Sequence, residues 1–374
     1  KLNAASCDTI KAAGGISGFD GTTKLDLVRN PAYDPKTDSA KDRENLPDEF
    51  TFTVNSNVDD IFAKIDRGDI EDAISGGTVP AAMLRQYKGS NQLKINAGDR
   101  TNYFMMNLST PPFDDVHVRR AVNWVVDKEA IRKAWGGPVT GLIATHIAPD
   151  PILNNKLKGY APYGTGKGDV AKAKAEMKLS KYDKNHDGIC DGPVCKVFTI
   201  TGDRAPEKAF VPSLEQNMKS IGLLLNDRVL KDAYTPISIP KQNVPFSTRP
   251  GWGKDYADPY TFFTPNFASN AITPSGNANR GLVGITPAQA KKLGVKGSVA
   301  GIPSVDKDLA RCKVTAEAAR YACYSALDKK MMTDVVPWVP WMWTNYINLV
   351  SKNVTQWNFD QFGTITAFAH VAVK

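Results

Sequence analysis

Apolar and polar positions along the chain change period several times, and each change predicts an element. Residues 50–57, FTFTVNSN, alternate as a half-buried strand does. Residues 58–66, VDDIFAKID, follow the helical period and stop at Gly68. LDLVRNPAYDP (25–35) reads as extended chain before them, DIEDAISGG (69–77) as a strand or short turn, and PAAMLRQY (80–87) as a further helix. TNYFMMNLS (101–109) is apolar enough for a buried strand. In the run that follows, Val116, Val118, Ala121, Val122, Val125, Val126, Ala130 and Ile131 recur at helical spacing. One helix is predicted there, started by Asp114 or Asp115 and ended by Gly136 and Gly137. GDVAKAKAEMKLS is a helix, CKVFTI a strand, APEKAFVPSLEQNMKSIGL a helix and LNDRVL a strand. Strand–helix–strand order is the mark of an α/β layer. A last strong helix covers 317–334, and strands and turns rich in aromatics follow it.

Composition narrows the class without naming a function. Of 374 residues 42% are apolar and 23% charged, the balance of a globular protein with room for more than one core. Forty-seven basic against 39 acidic side chains give a mild +8. No Lys/Arg run or nucleic-acid motif accompanies that excess, so no nucleic-acid partner is expected. No stretch reaches the roughly 18 consecutive apolar residues of a membrane span. The start, KLNAASCDTI, lacks an initiator Met and an apolar leader and reads as a processed or truncated chain.

The five cysteines fall as two short pairs, Cys190 with Cys195 and Cys312 with Cys323, and an orphan, Cys7. This spacing predicts local disulfides in an oxidising compartment; buried free thiols are the alternative. Around the first pair, DKNHDGICDG places Asp183, Asn185 and Asp187 at alternate positions before Gly188, with the Ile189 carbonyl and Asp191 beyond. That is the oxygen order of a Ca2+ loop, cut short by Val194 where a bidentate Glu belongs. A structural Ca2+ competes here with an ordinary Asx-rich turn. No other cofactor is expected. GTGKGD at 164–169 is too short for a phosphate loop, and no serine stands in a GxSxG, so no catalytic residues are assigned.

GWGKDYADPY (251–260) gathers Trp252, Tyr256 and Tyr260 around Asp255, and Trp338 and Trp341 follow later among prolines. Aromatic walls with one fixed carboxylate suit an amphipathic cationic ligand; filling a core is the competing use of the same rings.

Several of these stretches together resemble one family. LDLVRNPAY, IFAKIDRGDIEDAI, YFMMNLSTPPFDDVHVRRAVNWVVDKEAI, DYADPYTFF and YSALDKKMMTDVVPWVPWMW occur in the order of the extracellular solute-binding protein family 5, from residue 25 to residue 343. The resemblance implies an α/β, two-lobed, periplasmic-binding-protein-like fold (type II, clamshell) with mixed sheets. Residues 1–97 would be the remainder of a first lobe, 98–345 the second lobe and 346–374 the return to the first. A missing N-terminal segment would complete the first lobe, which the odd start and the orphan Cys7 fit. The implied function is that of a non-enzymatic, monomeric receptor that captures peptides and hands them to ABC permease subunits at the membrane. Its place would be extracellular, as a surface-anchored lipoprotein or in a periplasm. In oligopeptide-binding members the aspartate matching Asp255 meets the ligand's N-terminal amine. Another solute of the same family, a sugar or nickel chelate, is the nearest alternative, and a carboxylate-based hydrolase a more distant one.

Overall fold

The computed structural model describes residues 18–39, 41–74, 79–297 and 299–374. The chain forms two compact units, Lys1–Asn96 with Tyr346–Lys374, and Ala97–Asn345.

In the smaller unit, strands β1 (Lys24–Val28) and β2 (Glu49–Thr53) pair antiparallel with Leu25 opposite Phe52. Alternation puts Phe50 and Phe52 on one face, where both meet the edge of Phe368. Helix Val58–Arg67 starts where the Asn57 side chain accepts the Asp60 amide. It stops at Gly68, whose φ of 87° is open to glycine and strained for other residues. The helix buries Ile61, Phe62 and Ile65 with Val79 and Leu349. The stretch read as a strand or turn over 69–77 forms no strand in its described part, and residues 75–78, like Cys7, lie outside the described residues.

The larger unit is built on a seven-stranded mixed sheet. Its members are β3 (Leu93–Met106), β4 (Gly141–Ile143), β5 (Lys196–Gly202), β6 (Leu224–Leu230), β7 (Phe246–Ser247), β8 (Gly251–Trp252) and β9 (Trp338–Leu349). The order is β4-β9-β3-β7-β5-β6, with β8 on β3. β5 and β6 are parallel, joined by helix Ala205–Lys219, as their strand–helix–strand pattern predicts. Residues 101–106 of β3 are all buried, which is why Tyr103, Phe104, Met105 and Met106 are apolar at every position rather than at every second one.

The single helix expected across 114–137 is two, Val116–Val125 and Lys128–Trp135. The loop before residue 170 causes the break. The Asp169 amide donates to the Trp124 carbonyl at 2.7 Å, and the Gly166 carbonyl accepts the Lys128 amide at 2.8 Å. Asp127 then caps the second helix through the Ala130 amide at 2.8 Å. The apolar period runs through the break because both helices face the same core.

Candidate functional site

The loop opened by GWGKDYADPY is fixed at both ends. β8 pairs with β3, Trp252 opposite Thr101. Asp258 caps helix Pro259–Phe267 by accepting the Tyr260 amide at 2.7 Å, and Arg320 grips the same carboxylate with two hydrogen bonds of 2.7 Å. Between these anchors, adjacent charges go opposite ways. Lys254 is buried and pairs with buried Asp99 at 2.5 Å. Asp255 is exposed.

Thr261, buried in the first turn of the helix, holds Asp255 in place. Its hydroxyl donates to Asp255 Oδ2 at 2.7 Å and accepts the Asp255 amide at 3.1 Å. The Trp252 indole donates to the Thr261 carbonyl at 3.3 Å. Trp252 is half-buried and Tyr256 is 44% exposed, so both residues flanking the carboxylate in sequence keep accessible surface. Among the described residues Asp255 Oδ1 takes no hydrogen bond, and a carboxylate so held can accept a charge-assisted hydrogen bond without first being ordered.

Trp338 and Trp341 do not join this group. Trp338 stacks face to face on Tyr103 at 3.5 Å and also packs on Phe267. Trp341 sits among Phe104, Trp135 and Phe210. Each is 1% exposed, and for these two the core use of the rings replaces the ligand-wall expectation. Both are in β9, a strand with neighbours on both sides, and they pack on opposite faces of the sheet, Trp338 against helix Pro259–Phe267 and Trp341 against helices Lys128–Trp135 and Ala205–Lys219.

Both short cysteine pairs are bridged, Cys190 to Cys195 and Cys312 to Cys323. The second bridge ties helix Asp306–Val314 to helix Glu317–Lys330. In the acidic loop, buried Asp183 accepts the amides of Asp187 at 3.2 Å and Gly188 at 2.7 Å. Asp187 accepts the Ile189 amide and the Asn185 side-chain amide, and Asp191 accepts the Lys184 amide. The donor set fits a Ca2+ site only in part. The order of oxygens and the Gly188 turn are those of a Ca2+ loop, yet among the described residues no three His, Cys, Asp or Glu side chains are gathered to hold a metal.

One group escaped the sequence reading. Arg249, three residues before Trp252, and Arg100, next to Asp99, converge with Arg280 on Tyr234. Scattered single arginines carry no spacing signal, and only the sheet brings them together. A separate concavity in the smaller unit, lined by Asp42, Asn96, Phe359 and Asp360 among others, contains none of the residues expected to bind ligand.

With this geometry in hand, the chain can be set beside known proteins. Residues 16–274 match the family described as bacterial extracellular solute-binding proteins, family 5 Middle. The chain belongs to that family. It is 22% identical over 218 residues to the probable D,D-dipeptide-binding periplasmic protein DdpA of Escherichia coli, covering 57% of this chain and 38% of that protein. It is 23% identical over 237 residues to the dipeptide-binding protein of the same organism, covering 62% and 42%. Among solved structures, the clavulanic acid biosynthesis oligopeptide binding protein 2 superposes with a TM-score of 0.74 at 22% identity, covering 96% of this chain and 62% of that one. The chain thus spans about two fifths of the curated relatives it matches. The shared fold is that of substrate-binding proteins, as the motif order implied.

Proposed function

We propose that this protein is a peptide receptor of an ABC importer and that Asp255 receives the ammonium end of the ligand. The observation that carries the reading is the exposed Asp255 carboxylate, held by Thr261 in a loop where Trp252 and Tyr256 keep accessible surface. The chemistry asks only for binding: a fixed anion for the ammonium, ring surface for the adjoining apolar part, and release of the ligand unchanged. The names of the two curated relatives, both dipeptide binders, support the same ligand class. Its partners are permease subunits, its working state is a monomer, and its place is outside the cytoplasmic membrane, on a surface anchor or in a periplasm. No helix among the described residues is long and apolar enough to cross a membrane. A weak Ca2+ ligand role for the 183–191 loop is a smaller part of this proposal, supported by its oxygen order alone.

The test is calorimetric titration of the full-length protein with a free tripeptide and its N-acetylated form. A hydrogen bond to a charged group contributes roughly 1.5–3 kcal/mol, so Asp255→Asn should weaken the free peptide about 10- to 150-fold. The acetylated peptide should change little. Equal losses for both ligands would return Asp255 to the role of a turn residue.

A further inference from the structure

The arginines around Tyr234 are unusual in what they lack. Arg100, on β3, donates from Nη2 to the Tyr234 hydroxyl at 3.1 Å. The Arg249 guanidinium lies over the Tyr234 ring at 4.1 Å, and that of Arg280 at 5.3 Å. Arg280 also donates to the hydroxyls of Tyr103 at 3.2 Å and Ser238 at 3.3 Å. Neither Arg100 nor Arg280 forms an ion pair among the described residues. Arg204, stacked over Trp135 at 5.0 Å, takes Glu207 as its partner, and Arg249 reaches the same carboxylate only at 3.7 Å. Asp232, fully exposed, adds its field to Arg249. Among the described residues four guanidiniums thus face two carboxylates, which leaves two positive charges without a counter-charge there.

The fold makes room for this group. A Cβ on Gly251 would come within 2.6 Å of Arg100 Nη2. One on Gly202 would meet the Glu207 carboxylate and, at 2.7 Å, Arg249 Cδ. Two glycines therefore clear the space in which the guanidiniums approach one another. Gathering like charges with neutral partners costs stability, and burial makes it costlier. The positive field is visible on Tyr234: burial pushes its phenol up, but Arg100, Arg249 and Arg280 more than offset this and hold it below the usual range. Burial, with Arg249 adding to it, also holds Arg204 down at about 10. Arg249 and Arg280 are half-buried, so their forks remain open to solvent on one side.

We infer that Arg100, Arg249 and Arg280 bind a ligand group carrying two or more negative charges, either paired carboxylates or a phosphoryl group. Guanidinium forks match the planar oxygens of both. A lone terminal carboxylate would neutralise only half of the surplus, so the ligand class narrows to peptides, or peptide-like molecules, with an acidic or phosphorylated end. The peptide part rests on the reading of Asp255; the dianion part does not.

The experiment keeps the two apart. The full-length protein is titrated with Ala-Ala-Ala, Ala-Ala-Glu and Ala-Ala-phosphoserine. Either dianionic-ended peptide should bind at least about tenfold more tightly than Ala-Ala-Ala, and whichever does identifies the source of charge. The gap should close in Arg280→Gln and in Arg280→Lys, which retains the charge but not the fork; an unchanged melting temperature in the lysine variant excludes misfolding as the cause. Equal affinities for all three peptides overturn the inference. If no peptide binds, the peptide reading falls, and thermal shifts with succinate and inorganic phosphate against acetate decide the rest. Stabilisation by either dianion but not by acetate, lost in both Arg280 variants, upholds the site; equal or absent shifts overturn it.

Discussion

Two segments of this chain carry three aromatics each, and the fold uses them in opposite ways. In 338–343, WVPWMW, every residue is buried. In 251–260 the rings of Trp252, Tyr256 and Tyr260 all keep some exposure. The difference lies in backbone partners. The first segment is part of β9, which has strands on both sides and helices against both faces. The second pairs over two residues of β8 and then leaves the sheet to reach a helix cap. Aromatic density marks large apolar area, and strand pairing decides whether that area is enclosed.

The sharpest way to break this comparison is at its buried end. Trp338→Ala should cost about 3–5 kcal/mol, the range for a large core aromatic, because it removes the stack on Tyr103 and leaves a cavity. Urea unfolding measures it; a loss below about 1 kcal/mol would mean that the 338–343 rings are not core.

Buried charge around the same segment gives the next effect. His146, edge-on to Trp343, lies 3.2 Å from Asp328 and 3.3 Å from Asp150. Burial opposes its charge, but the two carboxylates prevail and raise its pKa to about 9. Lys128 is fully buried, its ammonium donates to the Ala144 carbonyl at 2.9 Å, and burial lowers its pKa to about 7. The signs are opposite. The folded state keeps a proton on His146 that the unfolded chain releases near pH 6.5, so this contribution is present below that pH and is lost as pH rises to about 9. Above pH 7 the folded state lacks a proton that unfolded Lys128 keeps up to about 10.4, so that contribution rises with pH. Between pH 7 and 9 the two should nearly cancel. In His146→Gln the Lys128 rise should emerge, roughly 2–3 kcal/mol over two pH units. Lys128→Met should instead show a fall. Parallel pH profiles for both variants would contradict the assignment.

Outside both segments, opening the Cys312–Cys323 bridge by Cys323→Ser should cost roughly 1–3 kcal/mol, as expected for a short closed loop. Denaturant midpoints with and without reductant provide the check, since reduction should destabilise the wild type more than the variant. Tyr256→Ala, at 44% exposure, should change stability by no more than about 0.5 kcal/mol while weakening ligand binding. A larger stability loss would erase the contrast with Trp338. Smallest is the 183–191 loop, where Ca2+ binding in the millimolar range should be lost in Asp187→Ala. Identical negligible heats in both proteins would leave the loop as a hydrogen-bonded turn.

Much of the architecture is legible in the one-dimensional pattern because it depends on near neighbours. The Asn57 cap, the stop at Gly68, the β5–helix–β6 crossover and the closeness of the cysteine pairs all act over a few residues or one strand–helix–strand unit. Motif order was enough to indicate the family, and with it the fold. The break at residue 126 was not legible, because Asp169 and Gly166 produce it from another part of the chain. Nor was the fate of each aromatic, since a tryptophan has the same pattern value on a strand enclosed on both sides as on a loop.

The sequence by itself determined which residue types were available at the 251–260 loop: a carboxylate, rings, and glycines that permit close approach. Tertiary structure alone decided that Lys254 turns inward to Asp99 while Asp255 stays in solvent. It alone brought Arg100, Arg249 and Arg280, from distant stretches of the chain, to one phenol. The physical reason is range. Caps, turns and periodicity arise from contacts within a few residues, whereas burial and electrostatic fields depend on what the sheet places alongside, and strand order is not written in any local stretch.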